Sequence, residues 1–180
     1  MENKHIIPLF LRSGKHIPNN PDLPLMLYKQ VFTDQKNLEN KFKASFAEHN
    51  WRGTWTNGVF DYHHYHSTAH EVLGVAAGSA TIQFGGPEGE KLEVKAGDMV
   101  ILPAGTGHCR IKASRHFTVV GAYPAGQEKY DICTEEDDAE AKKRQIAQVP
   151  LPATDPIEGA NGPLLQYWQA KNSRSSFILG

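Results

Sequence analysis

Four side chains able to ligate a metal fall in two short stretches. The first reads Gly58-x5-His64-Tyr65-His66-x4-Glu71-x6-Gly78, and the second Gly97-x5-Pro103-x-Gly105-x2-His108. Imidazole and carboxylate groups in such patterns are what a small β-barrel needs to hold one divalent metal. The residues from Phe60 to His66 are predicted to form a strand, whose side chains alternate between two faces. His64 and His66 then share a face with Phe60 and Tyr62, while His63 and Tyr65 face the other way. A second strand is expected from Glu71 to Ala77, with Glu71, Leu73, Val75 and Ala77 on one side. If these two strands pair, Glu71 comes beside both histidines, and Gly78 supplies the following turn. Further on, Pro103-Ala104-Gly105-Thr106-Gly107 is a tight bend, its glycines tolerant of positive φ, that delivers His108 to the start of another strand. His108, Arg110 and Lys112 alternate there with Cys109 and Ile111.

The elements that must hold these groups are legible in turn. Three prolines between Pro18 and Pro24 forbid regular helix. Leu23 to Phe32 reads as a strand, and Asp34 to Asn50 as a helix capped by Thr33 or Asp34, with Leu38, Phe42 and Phe46 forming one apolar stripe. His49 falls near the C-terminus of that helix. Trp51 to Asn57 is aromatic and turn-rich, and Asn57-Gly58 is a turn signal. Ala80 to Phe84 and Lys91 to Val94 flank a glycine-rich loop and read as a hairpin. Short strands are expected over Met99 to Leu102 and Phe117 to Tyr123. Thr134 to Val149 places acids early and bases late, which suits a helix dipole. Pro150 to Pro163 is an extended arm laid over the barrel, anchored by Leu164, Leu165, Tyr167 and Trp168, with a polar, mobile tail after Ala170. His5 and His16 fall in a flexible start, and His116 in a loop.

The two stretches resemble the signature motifs of the cupin superfamily. Gly58, His64, His66, Glu71 and Gly78 match the first, and Gly97, Pro103, Gly105 and His108 match the second. His70 stands next to Glu71, but only Glu71 has the motif's spacing to Gly78. The family's closing asparagine is Lys112 here, which touches no expected ligand. The motifs cover about a third of the chain. The flanks, PNNPDLPLMLY and Pro150 to Trp168, also resemble the YjlB-type bacterial cupins, a closer likeness that adds little chemistry. The resemblance implies a mainly β fold, an antiparallel double-stranded β-helix (jelly-roll barrel) with one N-terminal and one C-terminal helix. It implies that His64, His66, Glu71 and His108 converge inside. Three imidazoles and a carboxylate suit Fe(II), Mn(II), Ni(II), Zn(II) or Co(II) and leave open positions on a six-coordinate ion. Residues 1–180 are read as one domain: 1–57 an arm, strand and helix, 58–124 the metal-binding barrel core, 125–180 a helix and extended arm.

On this reading the chain is a metal-dependent enzyme for a small polar metabolite, of the dioxygenase or oxygenase type ahead of a sugar or sugar-phosphate isomerase. A non-catalytic module that binds a metal or small molecule is the other class. Tyr62, Arg110 and Lys112 are the candidate catalytic residues, and Phe60 with Tyr62 could form an aromatic wall. The formal net charge of −1 gives no electrostatic case for nucleic acid or an anionic membrane. No apolar run approaches the roughly 20 residues that span a bilayer, and no signal-like core follows the start, so the cytoplasm is expected. The two cysteines, Cys109 and Cys133, form no CxxC pair and are expected to be free thiols. A homodimer is expected by resemblance to cupins whose sheets pair across subunits.

Overall fold

Along Leu25–Lys29 (β2), alternate side chains enter different cores. Leu25 and Leu27 join one apolar cluster, and Met26 and Tyr28 join another. A strand buried on both faces needs a covering layer on each side, and the fold supplies both. The computed structural model describes residues 5–169. Its other strands are His5–Leu9 (β1), Trp51–Asn57 (β3), His64–Tyr65 (β4), Glu71–Ala77 (β5), Ser79–Phe84 (β6), Glu90–Lys95 (β7), Met99–Leu102 (β8), His108–Ala113 (β9), Thr118–Pro124 (β10) and Cys133–Thr134 (β11). The helices are Leu38–Glu48 (α1), Ala139–Ala147 (α2) and the single turn Leu164–Tyr167 (α3).

The strands make two antiparallel sheets, in the orders β1-β2-β8-β5-β10-β3 and β11-β4-β9-β6-β7. Leu73, Val75, Val100 and Val119 of the first sheet meet Ile82, Phe84 and Val94 of the second, and this contact is the interior of a jelly-roll sandwich. The other face of the six-stranded sheet carries Val72, Met99, Ile101 and Val120 against Leu38, Phe42 and Phe46 of α1. Gly74 makes that close approach possible, because a Cβ there would stand 2.5 Å from the Phe42 ring. No described helix is long and apolar enough to cross a membrane.

Several elements differ from their sequence expectation. The strand predicted over 60–66 is only His64–Tyr65, because 58–63 form a loop. Trp51–Asn57, expected as turns, is the edge strand β3 beside β10. His5, expected in a flexible start, opens β1, which pairs with β2. The first helix begins at Leu38, after Asn37 at φ 55°, without a side-chain cap. Asp34 instead accepts from the Lys36 N–H and pairs with Lys41. The second helix starts at Ala139, capped by Asp138, and Cys133–Thr134 is a strand. The arm after Pro150 crosses the outside of the first sheet. Trp51 Nε1 donates to the Thr154 carbonyl, and the Tyr28 hydroxyl to Asp155 at 2.5 Å. Leu164 and Trp168 anchor it, with Trp168 Nε1 donating to the Pro24 carbonyl at 2.8 Å. Tyr167 is exposed and Leu165 only half-buried, so neither anchors. The tail expected after Ala170 lies outside the described residues.

Candidate metal centre

His64 and His108 face each other as cross-strand partners on β4 and β9, their ring centroids 4.0 Å apart. His66 follows two residues after His64, just past the end of that short strand. One ring nitrogen from each of the three comes within 4.8 Å of the others, and all three side chains are buried. Glu71 arrives from the opposite sheet. The expected pairing of its strand with that of His64 does not occur: β4 pairs with β9 and β11, and β5 pairs with β8 and β10. The carboxylate instead crosses the sandwich, with its two oxygens 3.4 Å from His66 Nε2 and from His108 Nε2.

Main-chain carbonyls set the ring tautomers. Nδ1 of His64 lies 3.0 Å from the Tyr62 oxygen, Nδ1 of His108 3.0 Å from Thr106, and Nδ1 of His66 2.5 Å from Asp131. A carbonyl only accepts, so each Nδ1 carries the hydrogen. Each Nε2 is left to supply its lone pair toward the shared centre, the arrangement that metal-binding histidines require. The donor set therefore fits a divalent ion. Burial, with His108 beside it, pushes His64 down to about 3, so this ring is neutral at neutral pH. Burial also works against charge on His66, but the Glu71 carboxylate outweighs it and holds His66 above the usual histidine value. Glu71 stays ionised: burial penalises its charge, and the neighbouring His66 and His108 more than compensate.

Two supporting residues escaped the sequence reading. Tyr123 donates its hydroxyl to Glu71 Oε2 at 2.8 Å and accepts from Trp55 Nε1 at 2.8 Å. Burial and the Glu71 charge push its phenol far up, so it remains a donor. Asp131 clasps the chain beyond His66. Its carboxylate accepts from the Ser67 N–H at 2.7 Å, from the Ser67 hydroxyl and from Cys133 Sγ at 3.2 Å, with Lys142 Nζ at 3.5 Å. Burial raises the Asp131 pKa, but these donors prevail and bring it down to about 2. Tyr123 lies 52 residues from Glu71, and the Asp131 carbonyl 65 from His66. No local pattern marks partners so far apart.

The cluster sits in an open cavity of about 260 Å³ bordered by Trp55, Val59, Phe60, Leu73, Tyr130 and Ile132. The three candidate catalytic residues are not brought together there. Tyr62 is 44% exposed and stacks on Phe60, ring centroids 5.0 Å apart. Arg110 turns to Asp61, 3.9 Å away, at the surface. Lys112 borders a separate hollow with Lys29 and Ser114. For Lys112 the reason is a register shift in β9. Arg110 pairs with Ile82 and Lys112 with Thr81, so Ile111 is an extra residue and the face assigned from His108 by simple alternation ends at Arg110. His70 is fully buried behind the site. Its Nδ1 accepts from the Ala104 N–H, its ring packs on Trp168, and burial lowers it to about 3. His63 is half-buried on the mouth loop, its Nδ1 without a hydrogen bond.

Residues 55–116 match the cupin domain family. Among solved structures the chain is similar to acireductone dioxygenase from Bacillus anthracis with a cadmium ion in its active center, at 13% identity and TM-score 0.37, over 68% of this chain and 79% of that one. It is also similar to a mutant salicylate 1,2-dioxygenase from Pseudoaminobacter salicylatoxidans in complex with gentisate, at 13% identity and TM-score 0.35, over 73% and 29% of the two chains. A far nearer relative is the "Uncharacterized protein YjlB" of Bacillus subtilis, 43% identical over 160 residues, which are 88% of this chain and 94% of that one. The chain therefore belongs to the cupin superfamily, in the family of that Bacillus protein.

Proposed function

We propose that this cupin is a metal-dependent enzyme of the oxygenase type, in which His64, His66, Glu71 and His108 hold one divalent ion and a small molecule enters the cavity above it. One observation carries the reading: three buried imidazoles, each locked at Nδ1 by a carbonyl, direct Nε2 to one point beside a buried carboxylate. An ion held there supplies a Lewis acid and, in its redox-active forms, a partner for dioxygen. The chain's own residues do the rest. Tyr123 keeps Glu71 oriented, Asp131 keeps His66 aimed, and the apolar walls exclude water from the bound molecule. The isomerase reading needs a base inside the cavity, and Tyr62, though its ring lies 5.4 Å from that of His64, is 44% exposed, stacks on Phe60 and does not line the cavity.

Elemental analysis of untagged protein purified anaerobically, beside His66→Ala, tests the assignment. About one ion per chain in the wild type and much less in the variant is expected. Equal occupancy in the two removes the site. Dioxygen consumption with candidate substrates then separates turnover from a binding module. A homodimer belongs to the same reading. It is supported by the edge strand β1, with Ile7 36% and the adjacent Phe10 60% exposed. A monomeric mass by light scattering removes it. Cys109 and Cys133 are free and buried, which supports the expected cytoplasmic setting.

A further inference from the structure

We infer that the cavity selects a single-ring, flat aromatic molecule with adjacent oxygen donors, neutral or singly charged, and rejects phosphorylated sugars. The inference rests on the metal reading above and names the substrate class of that site.

Size comes first. Pockets for drug-sized ligands run from about 300 to 1,000 Å³, and this one measures about 260 Å³. That is room for one ring with its substituents. The walls come second. Phe60 lies against His64 and Tyr130 against His66, each with ring centroids 5.0 Å apart. Tyr130 in turn stacks on Tyr123 at 4.3 Å and 21°. Aromatic rings thus border the histidine cluster beside two of its members, and Ile132 extends the apolar rim, 48% exposed. A flat ring stacks on such walls, whereas a sugar would bury hydroxyls against them without partners.

Charge comes third. Among the described residues that line the cavity there is no lysine and no arginine. Lys129, next to the lining Tyr130, is exposed and does not border the cavity, Arg110 faces Asp61 at the surface, and Lys112 borders a different hollow. Three neutral imidazoles, one carboxylate and one divalent ion sum to a single positive charge. A singly ionised diol cancels that charge. A phosphate dianion would leave a net negative charge in an apolar cavity, without the cationic or amide donors that phosphate sites use.

The test uses full-length protein loaded with Co(II), with occupancy measured on every sample before ligand is added. Catechol, trans-1,2-cyclohexanediol and fructose 6-phosphate are titrated, and both the cobalt absorption spectrum and the intrinsic tryptophan fluorescence are followed. The expected result is saturable catechol binding at least tenfold tighter than that of either other compound. Phe60→Ala and Tyr130→Ala should each weaken catechol by about tenfold, with cobalt still bound. Equal or tighter binding of fructose 6-phosphate or cyclohexanediol overturns the inference. So does a failure of catechol to bind cobalt-loaded protein, which leaves the metal reading standing. Protein that takes up no cobalt fails at the metal reading, and the inference falls with it.

Discussion

Replacing Tyr123 by phenylalanine removes one oxygen atom and two hydrogen bonds. The hydroxyl gives a 2.8 Å bond to the Glu71 carboxylate and receives one of 2.8 Å from Trp55 Nε1, and Tyr123 and Glu71 are both buried. A hydrogen bond to an ionised acceptor contributes about 1.5–3 kcal/mol net, and a neutral one about 1 kcal/mol. Glu71 keeps His66 and His108 as partners, so it does not become an isolated buried charge. The Trp55 ring is half-buried, so its N–H loses only part of its solvation. The expected loss of folding stability is therefore about 2–4 kcal/mol. It should be measured by urea denaturation of chelator-treated protein, so that no ion contributes. A double-mutant cycle with Trp55→Phe apportions the loss, and the pair should couple by at least about 0.5 kcal/mol because they share the hydroxyl. A loss below about 0.5 kcal/mol, or strict additivity with Trp55→Phe, would refute the claim that this hydroxyl joins the edge strand β3 to the metal centre.

The Asp131 clasp should show itself in acid. Its folded pKa of about 2 lies below the reference 3.8, so its contribution is complete above the reference value and is lost as pH falls through the folded one. Its side chain is 27% exposed, so after allowance for solvent screening Asp131→Asn should cost about 1–2 kcal/mol at pH 7. Urea midpoints should show a smaller gap between variant and wild type near pH 3, and a gap that is constant with pH would contradict the assignment. Gly74→Ala would press a methyl to 2.5 Å from the fully buried Phe42 ring. A loss of about 1–3 kcal/mol is expected, partly restored in the Gly74→Ala/Phe42→Leu double variant. Simple additivity of the two changes in urea midpoint would count against that contact.

The histidines were readable in the sequence because strand alternation and one tight bend fix their directions locally. Glu71 was found by the same spacing, but its route to the site was not, since alternation cannot say in which sheet a strand lies. Lys112 shows the limit of the rule: one extra residue at Ile111 ends it. Trp51–Asn57 hid its strand because Gly53 and polar residues on an exposed edge resemble turn chemistry. Tyr123 and Asp131 were illegible because their roles come from partners brought close only by closure of the sandwich. The two-faced burial of the larger sheet, by contrast, follows directly from apolar runs such as Met99–Leu102.

The grip of Asp131 on His66 has a consequence for how the site opens. The carbonyl that aims His66 belongs to the segment between β10 and α2, and that segment is tied down by Ser67, by Lys142 and by the pairing of β11 with β4. Any excursion that lifts the segment frees the imidazole to rotate. The lifetime of a loaded centre is then bounded by the local opening free energy of 125–137 rather than by global unfolding. By the same linkage, an occupant of the centre should slow amide exchange in that segment, remote in sequence from every ligand.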